Sequence, residues 1–171
     1  MKFITRILPL ALLLTGLSFS FGLSQKAAPK VTVTRVIDAS ADEVWTVLRK
    51  LDNIDELSST VAKVSWKGPH DVGGQRTCKA TEGDGQFVEK ILSFDDINRS
   101  YTYALLEGVP ATNMVNMFKV VDLGYQRSLI IWTSSYEGFM QNPEMTEEQF
   151  LGFLNQSIEE MITNTSKSAK S

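Results

Sequence analysis

The feature that most limits what this chain can fold into is an imbalance: six strand segments in succession, followed by one long amphipathic helix. Residues 61–66, 75–81, 86–94, 100–106, 113–121 and 127–137 are each rich in β-branched and aromatic residues. Turn chemistry separates them: Gly68-Pro69, Gly73-Gly74, Gly83-Asp84-Gly85, Asp95-Asp96 with Asn98, Glu107-Gly108-Val109-Pro110 and Leu123-Gly124. Connections this short predict sequential antiparallel pairing, because parallel neighbours need long crossovers. The helix that follows opens on Thr146 with Gln149, a capping-box pair, and repeats Phe150, Leu151, Leu154, Ile158, Met161 and Ile162 at three- and four-residue spacing. Beyond it, the polar residues from Thr163 on predict fraying, with residues 166–171 as a loose tail.

Ahead of the strand series, residues 31–37 alternate as one more strand. Ser40 and Glu43 form a second capping-box pair, opening a short helix that carries Val44, Val47, Leu48 and Leu51 on one face. Residues 52–57 predict one further helical turn that reverses the chain. The fold class is therefore α+β. Seven strands and one long helix cannot cover both faces of a flat sheet, so the sheet must curve strongly around that helix, with the short helix pair closing one end. A curved sheet over a single helix leaves interior space, and such space is where small apolar molecules bind.

Composition narrows the function classes. The 171 residues carry a formal charge of -3, with one Cys and one His. Without a basic excess, phosphate-tracking nucleic-acid binding is not expected. Cys78 alone cannot form an internal disulfide or a thiolate metal site, so neither metal nor cofactor is expected. Any triad-type mechanism would have to use His70, which sits in a Gly-Pro-His-Asp turn typical of a solvated side chain. Monomer and dimer are both compatible with the sequence.

Residues 1–24 hold Lys2 and Arg6 and then no charge through Ser24, with an apolar stretch at 7–17. This predicts a secretory signal cleaved before Gln25 and a periplasmic or extracellular protein; an uncleaved membrane anchor is the alternative. Cleavage would leave 15 basic and 20 acidic residues, a net charge of -5. Residues 25–30 then form a short tether to a single domain at 31–165.

The segments Val36-Ile37-Asp38-Ala39-Ser40-Ala41-Asp42-Glu43-Val44-Trp45 and Val72-Gly73-Gly74-Gln75-Arg76 carry a family resemblance. So do Val88-Glu89-Lys90-Ile91 before Phe94-Asp95-Asp96, Tyr101-Thr102-Tyr103, Gly108-Val109-Pro110-Ala111 and Ile131-Trp132. In order and spacing they resemble the START-like (SRPBCC) superfamily in its polyketide cyclase/dehydrase branch, over 31 to about 162. The resemblance implies the helix-grip fold shared with plant pathogenesis-related allergens. It implies a hydrophobic small-molecule ligand, such as a lipid, polyketide or isoprenoid, held between sheet and helix.

With the family's concave parity, the inward residues are Phe87, Glu89 and Ile91; Tyr101, Tyr103 and Leu105; Met114, Asn116 and Phe118; and Trp132, Ser134 and Tyr136. The helix adds Phe150, Leu154 and Ile158. The same residues would serve a packed core. Glu89 either orients a ligand or pairs with Arg76 on the neighbouring strand, and Asn116 either bonds a ligand or bridges strands. Gly108, Val109, Pro110 and Ala111 resemble a gate loop at the pocket mouth. Three functions stay open: non-covalent ligand binding, cyclase/dehydrase catalysis through Glu89 or Tyr103, and an interaction protein with a filled core.

Overall fold

The computed structural model describes residues 28–141 and 144–170, so the signal expected at 1–24 and residues 25–27 of the tether lie outside the described residues. The elements run β1 (Val31–Ile37), α1 (Ala41–Leu48), α2 (Ile54–Leu57), β2 (Val61–Lys67), β3 (Gln75–Ala80), β4 (Gln86–Asp95) and β5 (Ser100–Glu107). They continue with β6 (Ala111–Thr112), β7 (Met114–Gly124), β8 (Arg127–Ser135), β9 (Gly138–Phe139) and α3 (Glu147–Ser168). Seven strands form one antiparallel sheet in the order β1-β8-β7-β5-β4-β3-β2. The short β2-β3, β3-β4, β4-β5 and β7-β8 connections make neighbours of consecutive strands, as hairpin-length turns require. With α3 packed on one side and α1-α2 after the first strand, this is the helix-grip arrangement.

Both capping boxes are present. Ser40 Oγ accepts the Glu43 N–H while the Glu43 carboxylate accepts the Ser40 N–H, and Thr146 and Gln149 reciprocate in the same way at the start of α3. The apolar face of α1 buries Val44, Trp45, Val47 and Leu48. Leu51, between α1 and α2, has φ 66° yet is completely buried. A left-handed backbone costs a leucine about 1–2 kcal/mol, and burying its side chain offsets a cost of that size.

Three details differ from the sequence expectation. The C-terminal residues do not fray from Thr163: α3 runs to Ser168, Thr165 is completely buried, and Asn164 Nδ2 donates to Leu57 O at 3.0 Å. That bond ties the last turns to α2, so residues 166–168 are helical and not a loose tail. The β7-β8 turn falls at Tyr125-Gln126, both left-handed at φ 54° and 56°, and not at Leu123-Gly124. Strand β7 therefore extends to Gly124, through a bulge near Asp122. Finally, β6 and β9 form a separate two-residue ladder, too short to announce itself by alternation.

Candidate functional site

The inward parity read from the sequence matches the observed burial. Of the inward set, Phe87 and Leu105 are half-buried and all others are buried. Cross-strand partners align them in rows: Ile91 opposite Tyr103, Tyr103 opposite Asn116, and Asn116 opposite Ser134. A bulge between Ile91 and Ser93 keeps Phe94 on the inner side, 5.6 Å from the Trp45 ring.

Inward-facing residues then divide by the end of the sheet they occupy. At the α1 end, rings fill the space: Trp45 to Tyr101 6.3 Å, Tyr101 to Phe118 5.5 Å, Phe118 to Trp132 6.4 Å between centroids. Ile91, Tyr101, Phe118 and Ser134 are buried there or beneath and lie outside the cavity between the sheet and α3. Tyr136 and Phe150 pack together near the start of α3, where Tyr136 Oη donates to Glu147 at 2.7 Å, and they too stay outside the cavity. Phe87, Glu89, Tyr103, Leu105, Met114, Asn116, Trp132, Leu154 and Ile158 do line a cavity of about 90 Å³ between the sheet and α3.

The sequence reading missed the opposite wall. Ile54, Ser58, Thr60 and Val61 close it from the α2-β2 corner, Cys78 from β3, and Phe153, Ser157 and Met161 from α3. Cys78 was legible as the alternate residue to Arg76, and Ser157 and Met161 as helical neighbours of Leu154 and Ile158. The α2-β2 corner had no periodic signal to follow.

The polar groups of the interior centre on Arg76, which is buried. Its Nε donates to Glu89 Oε2, its Nη1 donates to Leu51 O at 2.6 Å, and its guanidinium lies 4.8 Å from the Tyr103 ring centroid. Glu89 therefore forms the ion pair with Arg76 while also facing the cavity. Burial works to lower the Arg76 value, and Glu89 together with Tyr101, Tyr103 and Cys78 more than reverses it, so the guanidinium stays charged. Burial, reinforced by Glu89, pushes the Cys78 thiol up to about 12 and raises the Tyr103 phenol well above its ordinary value. Trp132 Nε1 donates to Tyr103 Oη at 3.4 Å. Asn116 is 3% exposed and its Oδ1 has no hydrogen-bond partner; the same holds for Oγ of Ser134, directly across the ladder. A buried polar atom without a partner costs about 1–3 kcal/mol, so the Asn116 carbonyl is an acceptor in want of a donor.

Gly108, Val109, Pro110 and Ala111 form the connection from β5 into β6, clamped by the β6-β9 ladder and by Met140 N–H donating to Pro110 O at 2.8 Å. Only Val109 of this loop reaches the cavity wall. Gly108 has φ 91°, and a Cβ there would stand 2.1 Å from Gln86 O, so the loop's close approach to β4 requires glycine. His70 lies away from the cavity, its ring tilted against Trp66 at 4.4 Å between centroids, with Nε2 3.7 Å from Asp52. Among the described residues no group of three or more His, Cys, Asp or Glu is placed to hold a metal ion.

Residues 28–164 match the family described as polyketide cyclase / dehydrase and lipid transport. No curated protein matches the chain significantly. Among solved structures, protein XoxI from Bacillus cereus superposes with TM-score 0.70 at 15% identity, covering 82% of this chain and 95% of its own. A Nitrosospira multiformis protein gives 0.66 at 19% identity, over 81% and 94%. Norcoclaurine synthase from Thalictrum flavum, in complex with dopamine and hydroxybenzaldehyde, gives 0.66 at 21% identity, over 93% and 95%. At these identities the likeness is one of fold.

Proposed function

The chain belongs to the polyketide cyclase/dehydrase and lipid transport family, and we propose that it binds a hydrophobic or amphipathic small molecule non-covalently between the sheet and α3. The observation that supports this most is Asn116: an unpartnered acceptor buried in the wall of an otherwise largely apolar cavity. An unpartnered polar group on a mostly apolar wall orients a ligand without reacting with it. The cavity volume of about 90 Å³ is small beside the few hundred that a lipid-sized molecule needs, so only part of such a ligand fits within it.

Catalysis by the same pocket is the weaker reading. Glu89 is committed to an ion pair with Arg76, and the Tyr103 phenol is raised far from neutrality, so Tyr103 is not set to exchange protons at neutral pH. Residues 1–24 add the proposal of export, which N-terminal sequencing of the cell-derived protein tests: a start at Gln25 in the exported fraction supports it, and a retained Met1 contradicts it.

Native mass spectrometry of protein isolated from its own host tests the binding reading. A mass above the polypeptide that disappears on denaturation is expected. A bare polypeptide mass, together with no heat of binding for any apolar probe, would remove it.

A further inference from the structure

Among the described residues, the charged side chains that line the cavity and the two grooves beside it are all acidic. Glu89 is the only carboxylate on the cavity wall, and Arg76 already neutralises it. On the α3 side the cavity shares Thr60, Phe153 and Ser157 with an outer groove of about 360 Å³. The remaining lining of that groove is Ser59, Gln156 and Glu160. On the gate-loop side a second groove shares Leu105, Val109 and Met114 with the cavity and carries Glu107. Among the described residues no Lys, Arg or His lines the cavity or either of these grooves.

We infer that the ligand is an uncharged or cationic molecule that joins an apolar ring or chain to a hydrogen-bond donor, and that molecules bearing a carboxylate or phosphate are excluded. This rests on the binding reading above and adds the ligand's charge and polar chemistry to it. An anion entering here would be desolvated with no cation on the lining to receive it, since Arg76 lies behind Glu89 and is paired with it, and would meet Glu160 or Glu107 on the way. A hydroxyl, amine or amide instead supplies the proton that Asn116 Oδ1 lacks. The cavity volume, about 90 Å³, corresponds to roughly three waters of liquid and takes a short branch or the edge of a ring. The rest of a larger ligand lies past Phe153, which is 36% exposed between cavity and groove, among Ser59, Gln156 and Glu160.

A matched set tests this by calorimetry on the purified protein at neutral pH: propylbenzene, phenylpropanol, phenylpropylamine and phenylpropionate share one apolar part and differ in the head group. The alcohol and the amine should bind about tenfold or more tighter than the carboxylate, the penalty of one unpaired desolvated charge. Asn116→Leu should erase the advantage of the alcohol over propylbenzene; an undiminished advantage overturns the Asn116 contact. Glu160→Gln lies in the outer groove and serves if Asn116→Leu does not fold. It should narrow the gap between amine and carboxylate, and an unchanged gap removes the charge explanation. If propylbenzene binds and phenylpropionate binds as well as the alcohol, the charge inference fails while the pocket reading stands. If none of the four binds, both fail together.

Discussion

Asn116 and Glu89 show how far a single residue can be read from sequence. Both were legible as polar side chains at inward positions of strands. Alternation gives the face of a strand but not the partner, and the partner decides the role. Glu89 has Arg76 opposite it and becomes half of a buried ion pair; Asn116 has Tyr103 and Ser134 on either side and keeps an unsatisfied carbonyl. Because Arg76 is 1% exposed, removing its partner strands a buried charge. Glu89→Gln should lower unfolding free energy by about 3–5 kcal/mol in a urea titration, and the double change Glu89→Gln with Arg76→Met should recover much of that loss. A single substitution that is neutral would show that Arg76 is reached by water.

At the scale of elements, capping boxes and periodicity located α1, α3 and the seven main strands to within a few residues, because these signals are local. Pieces set by distant contacts were not legible: the last turns of α3, held by α2, and the two-residue β6 and β9, held by each other. Nor was the Tyr125-Gln126 turn, whose two left-handed residues are not glycines. The attachment of α1 to the sheet is likewise tertiary. Asp96, in the β4-β5 turn, accepts from Arg49 Nε at 2.9 Å and from Trp45 Nε1 at 2.7 Å, and these bonds hold its carboxyl below the ordinary value. A carboxyl lowered in the folded state stabilises fully above its unfolded value and loses that contribution as pH falls through the lowered one. Asp96→Asn should therefore reduce Tm at neutral pH and hardly at all in strong acid, flattening the acid limb of the Tm profile. A uniform decrease at every pH would contradict the linkage. The gate loop depends on one backbone position. Gly108→Ala forces a Cβ against Gln86 O at φ 91°, so it should destabilise the protein by more than about 1 kcal/mol in the same urea titration; a neutral result would mean the loop lifts away from β4.

For the whole molecule, the sequence order of strands and one long helix carried the architecture, and the inward parity carried the list of interior residues. What it could not carry was the division of that interior. One end is filled by Trp45, Tyr101, Phe118 and their neighbours, and the other keeps a cavity, because α1 delivers a large ring to one end only. Lining and packing use the same residue types at the same alternation, and only the helix placement separates them. The account stands on an apolar molecule occupying the end away from Trp45. The most direct measurement is methyl NMR of isotopically labelled protein titrated with phenylpropanol. The account predicts intermolecular NOEs from the probe's ring to the methyl groups of Leu105, Met114, Ile158 and Met161. NOEs confined to exposed methyl groups such as those of Val36, Ile97 and Leu123, or none at saturating probe, would contradict it.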